Sequence, residues 1–280
     1  MNTSLRQVLV HLDPTASARP RLAAARRIAQ QQGAELAALY AVTPTFVELP
    51  YAPEVGPTLA AALLEIDEDR RAHVLKDFDA EMTLPGPMAS WTQTDDLPTA
   101  GVVAQQAFYA DLLVLGQHDS ADPAARCVPA DLVESVLIAS GRPAVVLPSI
   151  GWTRPIGDTV AIAWKETPEA ARAVQAALPF LQRAARVHVL AWNEEDAARV
   201  GGRKLDLEGY LRVHGVKAAF HVEGDVAGDL GEMLLSRVFD LEADLLVMGC
   251  YGHARAREWI LGGVSRTLLS SMTLPVLMAH

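Results

Sequence analysis

A glycine-rich segment near the end of the chain has the residue types and spacing of a loop that holds an anion. Two residues separate Gly249 from Gly252, and nine more separate Gly252 from the pair Gly262 and Gly263. Glycine lets the backbone approach a ligand closely. A helix that begins after the pair would offer unpaired N–H groups and a positive dipole end to a phosphate. The segment therefore predicts a phosphate-binding loop, to which Ser265 would add a hydroxyl donor.

The loop follows a short apolar run that occurs twice in the chain. Residues 243–249 read ADLLVMG, and residues 110–116 read ADLLVLG. After a helical stretch, each copy continues into a second apolar run that starts with proline, at 143–147 and at 275–278. A period of about 130 residues is domain-sized and far above that of solenoid repeats. The sequence predicts a tandem duplication of one α/β domain, with domains at 1–150 and 156–280.

Strands alternate with helices in both copies, which predicts βαβ units and parallel sheets covered on both faces. The predicted strands outside the repeated runs cover 7–13, 34–42, 88–94, 159–164, 187–192 and 218–222. The predicted helices cover 17–32, 59–82, 97–109, 167–185, 194–214 and 225–241. Because the join at 148–155 is short, we expect the two domains to lie side by side as a pseudo-two-fold pair.

Composition excludes several classes of protein. A net charge of −10 argues against a nucleic-acid partner. The basic group Arg19, Arg21, Arg26 and Arg27 has helical spacing and is interpreted as a solvated helix face. No apolar run reaches the ~18–20 residues of a membrane span, and no secretory h-region is found. Only two cysteines are present, so a disulfide framework is excluded and a reducing, cytoplasmic setting is expected.

The glycine-rich loop and the last helix and strand resemble the universal stress protein family, in particular its tandem two-domain members. The family's G-x2-G-x9-G-[ST] loop is matched at Gly249, Gly252 and Gly262, while Gly263 stands where Ser or Thr is usual. The resemblance implies a Rossmann-like sandwich in each half, of the adenine nucleotide alpha hydrolase-like type. It also implies pairing through the last strands as an internal pseudo-dimer, and it leaves a homodimer and an unknown protein partner open.

The resemblance implies an adenine nucleotide, ATP or AMP, as ligand in a subset of members, with Mg²⁺ only as its companion. In those members an Asp at the end of the first strand meets the adenine; the aligned residue is Asp13 in the first copy but Lys165 in the second. Trp164 and Trp192 lie near the base pocket and either stack on adenine or fill its space. The predicted nucleotide site comprises Met248, Gly249, Gly252, Gly262, Gly263, Val264, Ser265, Trp164, Lys165 and Trp192.

The first copy has the aspartate after its first strand but lacks the glycine-rich loop. Asp119 stands where Gly252 stands in the second copy, and Ala130–Asp131 replaces the glycine pair. A carboxylate at the start of the helix would repel phosphate, and Asp131 could itself cap that helix. We therefore expect no nucleotide in the first copy.

Catalytic motifs are weak throughout the chain. His11 and Asp13 share one face of a strand but have no nucleophile beside them, and Cys250 with His253 lacks a third metal ligand. Walker, HExxH and GxSxG patterns are missing. We expect no catalytic residue and at most a slow ATPase. Two hypotheses remain: a nucleotide-binding stress-response module, or a nucleotide-free interaction module, for which the proline-rich stretch 44–57 would be a candidate surface.

Overall fold

The computed structural model describes residues 4–48, 56–192, 205–223, 228–250 and 263–280. These residues divide into two compact units, Ser4–Thr153 and Arg154–His280. Both units have an α/β architecture in which parallel strands alternate with helices, as the sequence predicts.

The first domain contains five strands that pair in parallel in the order β3-β2-β1-β4-β5. Its strands are β1 (Gln7–Leu12), β2 (Glu35–Ala41), β3 (Ala89–Thr94), β4 (Leu112–Gly116) and β5 (Ala144–Leu147). Its helices are α1 (Ala18–Gln32), α2 (Thr45–Glu48), α3 (Pro57–Met82), α4 (Thr99–Ala107) and α5 (Leu132–Ser140), and a 3₁₀ helix spans Pro123–Cys127.

The second domain repeats this order as β8-β7-β6-β9-β10, again with parallel pairing throughout. Its strands are β6 (Thr159–Trp164), β7 (Arg186–Trp192), β8 (Ala219–Glu223), β9 (Leu245–Gly249) and β10 (Val276–Ala279). Its helices are α6 (Pro168–Leu181), α7 (Leu207–Val213), α8 (Leu230–Asp240) and α9 (Gly263–Ser271).

The repeated apolar runs form the interior strands β4 and β9. The first four residues of each strand are at most 5% exposed, which explains why both runs lack the polar alternation of a half-buried strand. The aspartate at the second position of each repeat has a structural role. Asp111 accepts hydrogen bonds from the backbone N–H groups of Arg6 and Gln7, and Asp244 accepts them from Gly157, Asp158 and Thr159.

Several predicted helices differ from the observed ones. The helix expected to reach residue 185 ends at Leu181, and Ala185 instead donates its N–H to the Asp158 carbonyl at 2.9 Å, which starts β7. The helix predicted from residue 225 begins at Leu230, where the Asp229 side chain caps the N–H groups of Gly231 and Glu232. Of the helix predicted over 194–214, the described part is α7, and residues 193–204 lie outside the described chain.

Candidate functional site

Each sheet has one point where the strand order reverses, and that point defines a crevice. In the first domain β1 lies between β2 and β4, and in the second domain β6 lies between β7 and β9. Ligands of open α/β sheets bind at the carboxyl ends of the strands beside such a reversal. The two candidate sites are therefore the crevice beyond β1 and β4 and the crevice beyond β6 and β9.

The second crevice brings four of the predicted site residues to one edge of the sheet. Ala163 of β6 is in register with Met248 of β9, so Trp164 and Lys165 extend past the strand beside Gly249. Met248 is 5% exposed, Trp164 is partly buried and Lys165 is exposed. Trp164 and Lys165 thus lie at the edge of the sheet where β6 and β9 end.

The neighbouring strand β7 reaches the same edge. Trp164 is in register with Ala191, so the backbone of Trp192 lies one residue beyond it. The two tryptophan positions are therefore close together on neighbouring strands.

Gly249 is required by close packing. A Cβ at this position would lie 2.4 Å from the backbone nitrogen of Ala170 and 2.5 Å from the carbonyl carbon of Glu169. The first turn of α6 therefore rests directly on the end of β9. That turn is capped by Thr167, whose Oγ1 accepts the Ala170 N–H at 3.3 Å.

The three predicted site residues at the start of α9 are present in the expected order. Gly263 is exposed, Val264 is partly buried and Ser265 is 4% exposed. Because α9 connects the parallel strands β9 and β10, it runs antiparallel to them and its N-terminus lies at the carboxyl edge. A hydrogen bond of 3.1 Å from Thr267 Oγ1 to Asp229 Oδ2 ties this helix to the cap of α8.

The remaining loop residues of the prediction, Gly252 and Gly262, and also His253, lie outside the described residues. Cys250 is described and is 1% exposed, with its thiol donating to the Ala279 carbonyl at 3.3 Å. Its backbone N–H also donates to the Ala279 carbonyl at 2.9 Å, so this residue, which directly follows β9, extends the pairing of β9 with β10. Within the described part of the chain, no group of three or more His, Cys, Asp or Glu residues could hold a metal ion.

The first crevice contains a buried ion pair. Asp13, directly after β1, is 2% exposed and accepts a hydrogen bond of 2.5 Å from Arg21 Nη2. The Thr15 hydroxyl and N–H also donate to Asp13, and His11 Nδ1 lies 3.6 Å from the same carboxylate. Burial alone would raise the pKa of Asp13, but Arg21, His11 and the Thr15 hydrogen bonds together hold that pKa below its ordinary value.

The prediction that the arginines near residue 20 form a solvated helix face is wrong for two of them. Arg21 is 3% exposed and Arg26 is 4% exposed. Arg26 donates to the Glu81 carboxylate at 2.9 Å and to the carbonyls of Leu84 and Pro87 at 2.8 and 3.0 Å, so it anchors the end of α3. Helical spacing does not distinguish a solvated arginine from one whose partner comes from a distant segment.

The segment after β4 closes the rest of the first crevice. Asp122 accepts the Ala16 N–H at 2.9 Å, and the Cys127 carbonyl accepts the Thr43 N–H at 2.8 Å, so the 3₁₀ helix lies across the strand ends. Burial raises the pKa of the Cys127 thiol to about 12. The cavity left beside Asp13 and Arg21 has a volume of about 20 Å³, which is room for about one water.

The aspartates expected to repel phosphate in the first domain have local roles. Asp119 accepts the Ala121 N–H at 2.9 Å. Asp131 occupies the N-cap position of α5 but makes no capping hydrogen bond, and its Oδ2 instead accepts the Ser135 hydroxyl at 2.9 Å. Asp131 is thus the N-cap residue of α5, as suggested, but its carboxylate does not bond the N–H groups of the first turn.

Comparisons with known proteins agree with this fold. A sequence model of the universal stress protein family matches residues 158–280, which is nearly all of the second domain. This match identifies the second domain as a universal stress protein domain. None of the curated proteins compared with the chain matches its sequence significantly.

Solved structures, one of them a universal stress protein, share the fold along the whole chain. One from Archaeoglobus fulgidus DSM 4304 is 17% identical, with a TM-score of 0.67, 98% of this chain covered and 95% of that one. A protein of unknown function from Pseudomonas aeruginosa PAO1 is also 17% identical, with a TM-score of 0.58, 99% of this chain covered and 93% of that one. At this identity the likeness shows the fold of both domains. No helix among the described residues is long and apolar enough to cross a bilayer.

Proposed function

We propose that this chain acts as a universal stress protein and binds an adenine nucleotide, ATP or AMP, in the crevice of its second domain. The observation that carries the proposal is the position of α9: its N-terminus at Gly263 follows the glycine-rich loop and faces the carboxyl edge where β6 and β9 end. The N–H groups of a helix's first turn have no intrahelical partners and favour a phosphate. The phosphates would lie against Gly249, Gly252, Gly262 and Gly263, with Ser265 as hydroxyl donor.

The rim of the same crevice offers a place for the base. Trp164 presents an indole at the end of β6, and a planar base can stack on an aromatic face. Lys165, exposed beside it, replaces the carboxylate that other members use and brings a positive charge toward the phosphates. The nucleotide would therefore be held mainly through its phosphates and by stacking. Mg²⁺ would enter only with the nucleotide, and no residue of the crevice is assigned a catalytic role.

A second candidate function is a nucleotide-free interaction module, and one observation favours it. The contact of Gly249 with the backbone of Ala170 explains this glycine without any ligand. In this alternative the loop keeps its glycines for packing, and the protein acts by binding an unknown protein partner.

Mass spectrometry of small molecules released from the freshly purified full chain separates the two functions. Bound AMP or ATP at close to one equivalent per chain, or saturable binding of added ATP, is the expected result. Gly252→Asp, which copies Asp119 of the first domain, should abolish binding. Gly56→Asp is the matched control, because it adds the same charge in the first domain at an open position.

Two results would overturn the proposal. One is an empty protein whose tryptophan fluorescence does not respond to millimolar ATP. The other is a folded Gly252→Asp variant that binds as tightly as Gly56→Asp.

A further inference from the structure

The crevice of the first domain holds a planar cation that belongs to the chain itself. Arg21 projects from the first turn of α1 and is 3% exposed, and its Nη2 donates to Asp13 Oδ2 at 2.5 Å. Its other terminal nitrogen, Nη1, lies 1.8 Å from where a Cβ on Gly116 would be. The three atoms closest to that hypothetical Cβ all belong to Arg21. Glycine at the end of β4 thus makes the space in which the guanidinium lies.

The fit of the guanidinium depends on space and charge more than on complete hydrogen bonding. Arg21 Nε is buried and has no hydrogen-bond partner among the described residues. An unpaired buried donor is unfavourable. The side chain is nevertheless held here, because it neutralises the buried carboxylate of Asp13 and fills the crevice above Gly116.

We propose that the first-domain crevice is a guanidinium-binding site whose ligand is the chain's own Arg21. Removal of that side chain leaves a cavity with a carboxylate at its floor and a glycine wall. Such a cavity selects small planar cations that donate N–H groups, namely guanidinium and amidinium ions, over spherical cations of the same charge. The proposal concerns the first domain alone and does not depend on nucleotide binding by the second.

The test is ligand rescue of Arg21→Ala in the full chain, followed by thermal unfolding. Low millimolar guanidinium chloride, or acetamidinium chloride, should raise the melting temperature of this variant above its value in sodium chloride of equal ionic strength. The wild type, whose site is filled, should show no such rise. Arg21→Met fills the cavity with an apolar side chain and should also fail to respond. The double variant Asp13→Asn/Arg21→Ala keeps the cavity but loses the carboxylate, so its response should disappear.

A second measurement needs no added ligand. Gly116→Ala should lower the melting temperature of the wild type, because the guanidinium must shift away from the new methyl group. In the Arg21→Ala background the same substitution should have little effect, since the atoms it would meet are gone. A folded Arg21→Ala variant without a guanidinium-specific rise would overturn the proposal, as would equal effects of Gly116→Ala in the two backgrounds.

Discussion

The two crevices stand at the same point of the same fold and are filled in different ways. In the first domain, Arg21 and the 3₁₀ helix occupy the space beyond β1 and β4. In the second domain, the backbone of α6 rests on Gly249, and the position equivalent to Asp13 carries the exposed Lys165. In the first domain the residue at this point is a carboxylate paired with an internal cation. In the second domain it is a lysine, and the glycine-rich sequence follows β9.

The largest effect is expected at the residue that follows the first strand of each domain. Asp13→Asn leaves the Arg21 charge buried without its partner, which should cost about 3–5 kcal/mol of stability. Lys165→Gln, at the equivalent exposed position, should change stability by about 0.5 kcal/mol or less. Urea unfolding of the full chain, with hydrogen exchange to separate the domains, measures both. Similar costs for the two variants would contradict the contrast between the crevices.

The buried pair of Asp13 and Arg21 also predicts how the stability of the fold changes at acid pH. The pKa of Asp13 is lower in the folded protein than the value of about 3.9 of an unfolded chain. The carboxylate therefore stabilises the fold fully above about pH 4, and this contribution is lost as the pH falls through the lower, folded pKa. The stability difference between wild type and Asp13→Asn should shrink over that range.

The second largest difference in stability is expected between alanine substitutions of the glycines that end β4 and β9. Gly249→Ala forces a methyl group against the backbone of α6, and we expect a loss of about 3 kcal/mol. Gly116→Ala meets a side chain that can move, so its loss should be nearer 1 kcal/mol. Gly263→Ala is the control. Among the described residues, no atom outside its own helix and its chain neighbours lies within 4 Å of the new methyl group. A smaller loss of stability for Gly249→Ala than for Gly116→Ala would contradict this order. It would show that α6 moves away from the methyl group more easily than the Arg21 side chain does.

These differences separate what the sequence can predict from what it cannot. Continuous apolar runs between glycine and proline predict buried parallel strands, so β4, β9 and the duplicated strand order could be read directly. The buried position of Arg21 could not be predicted, because its helical spacing is typical of a solvated face. Its partner Asp13 is identified only in the folded structure. The role of Gly249 could not be predicted either. The sequence does not distinguish a glycine that leaves room for a ligand from one that leaves room for a packed helix.

The aspartates of the repeated run should show a smaller difference. Asp244→Ala removes an acceptor from three backbone N–H groups, whereas Asp111→Ala removes it from two. Asp244 is 9% exposed while Asp111 is exposed to water, so we expect losses of about 2 and about 1 kcal/mol. Thermal unfolding with hydrogen exchange at the starts of β1 and β6 measures them. Unchanged exchange at β6 in Asp244→Ala would contradict the structural role given to this repeat.

The smallest effect is expected at a histidine pair of the second domain. His188 Nδ1 and His221 Nε2 lie 3.1 Å apart on β7 and β8, and partial burial, His221, Arg186 and Arg237 lower the pKa of His188. The unfolded chain then binds a proton more readily, so stability should fall as the pH drops below about 6.5. His188→Gln removes this penalty, and its stability relative to wild type should improve from pH 7.5 to 5.5. His73→Gln, in the first domain, is the matched control, since its ring is mostly exposed. The same pH dependence in both variants would mean that the histidine pair does not contribute to the acid response of the second domain.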